Sequence, residues 1–138
     1  MDIDTTTEYG QRVSRRLREE QVIWFVTVNR DGTPEPSPVW FYWDGETILI
    51  YSLRDTARQR NVLRNGRVAL HFDSTQGGNV VVFTGEASVA QDAPAAHANP
   101  PYAEKYRDGF RRIGVTAEQF SQRYSLPIRV RPTKLRGF

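Results

Sequence analysis

The stretch Ile48–Arg67, ILIYSLRDTARQRNVLRNGR, decides how the chain is read. Ile48, Leu49, Ile50 and Tyr51 form an apolar run of strand-favouring residues. Ser52-Leu53-Arg54 then leads to a helix start, where Asp55 or Thr56 can serve as N-cap by offering a side-chain oxygen to the free amides of the first turn. Gly66 stands where that helix should end. Five arginines and one aspartate fall between Arg54 and Arg67. A helix N-terminus carries free N–H donors and the positive end of the helix dipole. Ser52 adds a hydroxyl there, and Arg54 and Arg58 add forked guanidinium groups that match phosphate oxygens two at a time. Arg58 and Asn61, three apart, share a helix face, with Val62 and Leu63 marking the buried side. The segment therefore reads as a phosphate site, against the alternative of a solvated basic helix lying on a sheet.

Working outward, Arg67–Asp73 reads as a strand, followed by a polar, glycine-rich turn from Ser74 to Asn79 and a further strand from Val80 to Val89. Gly85 within the latter predicts a bulge or a close backbone approach. Upstream, Val22–Asn29 is an aromatic and β-branched strand ending in the turn signal Asp31-Gly32. The prolines of Glu35-Pro36-Ser37-Pro38 predict an extended approach near a sheet edge, leading into a strand over Val39–Trp43. Asp44-Gly45 turns into Thr47–Tyr51. Glu8–Glu20 reads as a helix with Tyr9, Val13 and Leu17 inward and Arg15, Arg16, Glu19 and Glu20 in water. Tyr102–Ile113 is helical in character, and Thr116 with Gln119 forms a capping-box pattern. In the last strand, Pro127–Thr133, Ile128 and Val130 alternate with Arg129 and Arg131. Six closely spaced strands with a few short helices predict an antiparallel barrel or sandwich with helices at its rim, one domain over residues 1–138.

Composition narrows the chemistry. With no cysteine among 138 residues there is no disulfide and no thiolate nucleophile. His71 and His97 lie far apart, His71 in an apparent strand and His97 in a soft Ala/Pro segment, which argues against a histidine metal site. The first residues, Met1-Asp2-Ile3-Asp4, are the reverse of a basic leader, and no apolar run approaches membrane-spanning length, so a cytoplasmic location with no membrane partner is expected. The net charge of +3 is a mild excess, and the placement of the arginines matters more.

Several motifs recur in a familiar order: Asn29-Arg30-Asp31-Gly32-Thr33-Pro34, Ser37-Pro38-Val39-Trp40-Phe41, Tyr51-Ser52, Thr56-Ala57-Arg58-Gln59-Arg60-Asn61, Asn65-Gly66-Arg67-Val68-Ala69-Leu70 and Phe83-Thr84-Gly85-Glu86-Ala87. Together they resemble the split β-barrel flavin-binding proteins of the pyridoxamine phosphate oxidase-like superfamily, and within it the branch that uses the deazaflavin coenzyme F420. The resemblance implies a mainly β, six-stranded split barrel that forms a homodimer with two cofactor sites between subunits. It implies that the strand matching Pro38, Val39 and Trp40 lies against the tricyclic ring, and that Ser52, Arg54, Thr56, Arg58 and Asn61 hold the phosphate. Many relatives carry lysine where this chain has Arg58, and arginine keeps the charge. Arg60, Arg64, Arg129 and Arg131 are candidates for a basic groove toward an anionic cofactor tail.

The implied activity is hydride transfer from reduced F420 to a small conjugated electrophile, quinone-like or tetrapyrrole-like, with no catalytic side chain required because the cofactor carries the chemistry. FMN on the same fold is the nearest alternative, followed by a non-catalytic cofactor-binding protein. A single-stranded nucleic-acid-binding barrel is a remote one, since the charge is only mildly positive and no RNP-like aromatic motif is present, so no nucleic-acid partner is expected. Trp24 and Phe41 are expected in core or dimer packing, and Trp40 in either packing or ring contact.

Overall fold

A computed structural model describes all 138 residues. Seven strands form one antiparallel sheet, not six, in the order β2-β1-β5-β6-β7-β4-β3. These are β1 (Ile23–Val28), β2 (Pro34–Val39), β3 (Tyr42–Trp43), β4 (Ile48–Ser52), β5 (Arg67–His71), β6 (Val81–Val89) and β7 (Leu126–Gly137). The extra strand arises where a single one over Val39–Trp43 was expected. The proline-rich approach is itself strand β2, and the chain then breaks at Trp40-Phe41 before β3. Proline is admitted because β2 is an edge strand. Pro34, Pro36 and Pro38 pair with Val28, Val26 and Trp24 of β1.

That break closes the barrel. β2 and β3 lie at opposite edges of the sheet, yet only Trp40 and Phe41 separate them. Three Cα steps span about 11 Å at most, so the sheet must curl until its edges nearly meet. Eighteen buried residues fill the interior, among them Phe25, Phe41, Ile48, Ile50, Leu70, Phe83, Ile128 and Val130. The helix α1 (Glu8–Glu19) plugs one end with Val13 and Leu17. Arg16 is buried on this helix rather than facing water. Its guanidinium donates to the carbonyls of Asn79 and Asp73, pairs with Glu20 and lies 4.8 Å from the centre of the Phe72 ring.

A second core lies outside the barrel. A 3₁₀ turn (Ala96–Ala98) and the helices α3 (Pro100–Lys105), α4 (Arg107–Ile113) and α5 (Ala117–Arg123) cover Leu49 and Tyr51, with Tyr102, Tyr106, Phe110 and Phe120 between them. β4 is therefore buried on both faces, Ile48 and Ile50 inward and Leu49 and Tyr51 under the helices, and this removes any polar alternation from its sequence. The expected helix over Tyr102–Ile113 divides in two at Tyr106. The capping box of Thr116 and Gln119 is present.

The final strand is longer than expected, and Gly85 sits at a register shift opposite it. A methyl group on Gly85 would strike the carbonyl oxygen of Arg131. Gly66 likewise lies past the C-cap, Asn65, with its carbonyl accepting from Ala87 N at 2.7 Å.

Tyr106 pins the closing link. Its hydroxyl accepts from Phe41 N at 2.8 Å and lies 2.7 Å from Gln21 O and 2.9 Å from Phe41 O. Lys105 Nζ donates to Phe41 O at 2.9 Å, so the single hydroxyl proton of Tyr106 is free to serve Gln21 O. The Trp40 ring stacks on Tyr106 at 4.5 Å. Replacing Tyr106 by Phe leaves the buried Phe41 amide without its acceptor, so Tyr106→Phe should cost about 1–3 kcal/mol of unfolding free energy in urea titration. A loss within experimental error would remove Tyr106 as the pin.

Lys105 carries a pH signature. Burial lowers its pKa to about 8 from the free value of 10.5, with Glu20 pulling the other way. The unfolded chain then binds more protons than the native one between those values, so stability should rise with pH from about 8 toward 10.5. Below pH 9.5, before tyrosine ionisation enters, Lys105→Met should flatten that rise. An unchanged slope would contradict the buried-ammonium account.

Candidate cofactor site

The site forms where β4 hands over to α2 (Ala57–Arg64). The cap is Thr56, whose hydroxyl oxygen accepts from Gln59 N. Asp55, immediately before it, has φ 59° and turns the chain sharply. Val62 packs into the barrel, but Leu63 is 66% exposed, so the helix buries a narrower stripe than its sequence suggested. The amides of Ala57 and Arg58 precede the first intrahelical bond, from Arg60 N to Thr56 O, and face no backbone acceptor.

Arg58 is the centre of the site. It is half-buried, and its Nη1 donates to the hydroxyl of the buried Ser52 at 3.0 Å. Burial pushes its pKa down from the ordinary arginine value, Tyr124 acting in the opposite sense. None of the six ion pairs involves an arginine of the Arg54–Arg67 stretch. A partly desolvated guanidinium without a carboxylate partner is a costly arrangement unless an anion completes it.

Two cavities meet at Arg58 and Leu53. One, of about 220 Å³, is lined by the hydroxyls of Thr27, Ser37 and Thr56 together with Asn61, Glu35 and Ala57. The other, of about 400 Å³, is largely apolar, lined by Pro38, Val39, Trp40, Tyr51, Ile113, Phe120 and Tyr124. A small hydroxyl-lined pocket beside a wider aromatic one, with a single cation at their junction, fits a planar ring bearing a phosphate.

Ser52, Thr56, Arg58, Pro38, Val39 and Trp40 are thus brought together. Trp40 lines the apolar cavity, but its ring is sandwiched between Tyr106 and Phe120, at 4.5 and 5.4 Å. Asn61 is buried and fully engaged: Nδ2 donates to Thr27 Oγ1 and Asn29 Oδ1, and Oδ1 accepts from Arg64. Arg54 points elsewhere, donating to Ser125 Oγ and O, both at 2.9 Å. Arg60 is exposed on the helix, Arg131 pairs with Glu86 at 3.0 Å and Arg129 lies 3.9 Å from Asp44. The basic residues therefore do not gather in one groove. Trp24 is half-buried and stacks on His71, and Phe41 is fully buried. His97 is exposed, with Nδ1 on Ser121.

Thr27, Ser37 and Tyr124 were not singled out in the sequence. A signal for Thr27 was available: it is the one hydroxyl on the inward register of β1, after Ile23 and Phe25, and Ser37 pairs opposite Phe25.

The curled antiparallel sheet, closed by the Trp40-Phe41 link and flanked by short helices, defines a protein of the split-barrel class. Residues 10–133 match the pyridoxamine 5'-phosphate oxidase family, and the chain belongs to it. Solved structures share the fold. A pyridoxamine 5'-phosphate oxidase-like protein from Listeria innocua is 20% identical, with a TM-score of 0.68 over 91% of this chain and 94% of that one. An F420 reductase is 23% identical, with a TM-score of 0.66 over 89% and 94%. A heme storage protein from Vibrio cholerae is 16% identical, with a TM-score of 0.64 over 99% and 95%. Among curated proteins, no sequence matches the chain significantly. No helix is long and apolar enough to cross a membrane.

Because every polar atom of the Asn61 side chain is used on the protein, its loss should register in folding. Asn61→Ala is expected to lower stability by about 1–3 kcal/mol, read by thermal or urea denaturation. A variant as stable as the parent would show that these contacts hold nothing together.

Proposed function

We propose that the protein is an oxidoreductase that binds coenzyme F420 and delivers hydride from its reduced form to a small conjugated electrophile, of quinone-like or tetrapyrrole-like type. The observation that carries this reading is Arg58, half-buried, without an ion pair and set at a helix N-terminus beside an apolar, aromatic-lined cavity. Family membership and the F420 reductase among similar folds support it.

When bound, the reduced deazaflavin supplies the hydride. The chain's own residues hold and shield it. Arg58, steadied by Ser52, takes the phosphate with the amides of Ala57 and Arg58 and the hydroxyl of Thr56. Pro38 and Val39, with the edge of Trp40, form the platform for the ring, and Phe120 and Tyr124 complete the apolar lining that keeps out water. FMN presents the same phosphate to the same cradle and is the alternative. A non-catalytic binding role is kept in view by the heme storage protein of the same fold.

The working unit in this reading is a cytoplasmic homodimer. The outer face of β1 and β5 leaves Trp24, Val26, Val28 and Ala69 only half-covered, along a groove of about 500 Å³ that Val26, Val28 and Ala69 help to line, and a second copy would cover it. Light scattering on the purified protein should give twice the 15.9 kDa chain mass.

Titration of the protein with F420 and separately with FMN, followed by fluorescence, tests the cofactor. F420 should bind the more tightly. Arg58→Ala should weaken that binding by about 1.5–3 kcal/mol, the scale of a charge-assisted hydrogen bond. Tight FMN binding moves the protein to the flavin branch, and binding of neither removes the oxidoreductase reading.

A further inference from the structure

Arg54 does not join Arg58. The turn at Asp55 sends its guanidinium across to Ser125, just beyond the C-terminus of α5. There it borders a separate cleft of about 540 Å³, which is within the range of small-molecule sites. Three features of this cleft point to one kind of occupant.

No carboxylate lines it, and Arg54 has no ion pair anywhere in the chain. The polar groups around that cation are neutral. Nε and Nη2 of Arg54 are held by Ser125, which leaves Nη1 free, and Gln59 and Gln91 contribute amide groups. Gln59 uses its oxygen on Asp55 N, so its amide hydrogens are free. The remaining walls are apolar. They include Leu63, the most exposed aliphatic side chain of α2, and Val89, Leu126 and Pro127.

A cleft with one fixed cation, amide donors, no acid and an apolar floor recognises an anion joined to an apolar body. We propose that this cleft is a binding site for a small organic acid, with Arg54 taking the carboxylate and the Leu63–Leu126 side taking the hydrocarbon. α5 and the two residues after it separate it from the ring cavity, with Phe120 and Tyr124 lining the ring cavity and Ser121 and Ser125 lining the cleft. Tyr51 lines both. Its hydroxyl is tied to Pro94 O and Asn99, so this shared wall is held in place. An acid in the cleft therefore lies next to the proposed ring site without entering it.

Octanoate is a suitable probe, since it has one carboxylate and a plain chain. Titrated into the full-length protein and followed by amide chemical shifts, it should perturb Ala93, Ala95, Ser121 and Ser125. Arg54→Gln should weaken its binding about tenfold, as expected for loss of a charge-assisted contact, while Arg58→Gln leaves it unchanged. Shifts centred on Val39, Trp40 and Thr56, or a loss that follows Arg58 instead, would place the acid in the ring cavity and overturn the assignment. Absence of binding at millimolar octanoate would overturn it too. The two sites fail separately, because F420 or FMN titration of Arg54→Gln and Arg58→Gln reads the cofactor cradle independently of octanoate.

Discussion

The two-residue link Trp40-Phe41 is the constraint on which the rest of the structure depends. It joins strands at opposite edges of a seven-stranded sheet, and so obliges the sheet to curl. Everything near the link serves to hold it. Phe41 fills the barrel, Trp40 lies on Tyr106 outside it, and the Tyr106 hydroxyl and the Lys105 ammonium satisfy the link's own backbone. The last two residues of β2, Pro38 and Val39, and Trp40 of the link are also where the apolar cavity begins. Closure of the barrel and placement of one border of the apolar cavity are thus one event, and the helices α3–α5 contribute to both.

The electrostatics of the site follow from an imbalance that the net charge of +3 understates. The acids of this chain are spent on local pairs at the surface and on turns, as with Asp44, whose carboxylate accepts from the amides of Glu46 and Thr47. None forms an ion pair with Arg54 or Arg58, and Glu35, which shares a cavity with Arg58, is engaged by Asn29. A chain that partly buries one guanidinium without neutralising it accepts a solvation penalty in the free state. In the proposed reading a phosphate would relieve that penalty, and a neutral ring compound of the same shape would not.

Much of the fold was legible in the sequence because the signals were local. The turns at Asp31-Gly32 and Asp44-Gly45, the bulge at Gly85 and the capping box at Thr116 each depend on a few neighbouring residues. The misreadings were long-range. The sequence of β2 reads only as an extended proline-rich approach near an edge, because the pairing with β1 that makes it a strand is a property of the assembled sheet. Arg16 was placed in water because its acceptors, the carbonyls of Asp73 and Asn79, are about sixty positions away in the chain. In the site, Ser52 and Arg58 could be grouped at the helix start, because both lie within a few residues of it in the chain. The divergence of Arg54 could not be seen, because it rests on a left-handed backbone at Asp55 and on Ser125, seventy-one positions on. Thr27 and Ser37 enter from strands on the far side of the sheet order.

The alternating prolines of β2 have a consequence beyond permitting an edge. Pro34, Pro36 and Pro38 fall on the same register of the strand, and none has a backbone hydrogen to give. The bonds to β1 must therefore come from the intervening Glu35, Ser37 and Val39, and the rim facing outward offers acceptors only. A foreign β-strand needs both donors and acceptors to dock on such a rim. The other rim, β3, is just two residues long. With one margin chemically mute and the other too short, this sheet resists recruitment into cross-β aggregates, and copies of the chain that associate must do so through their faces.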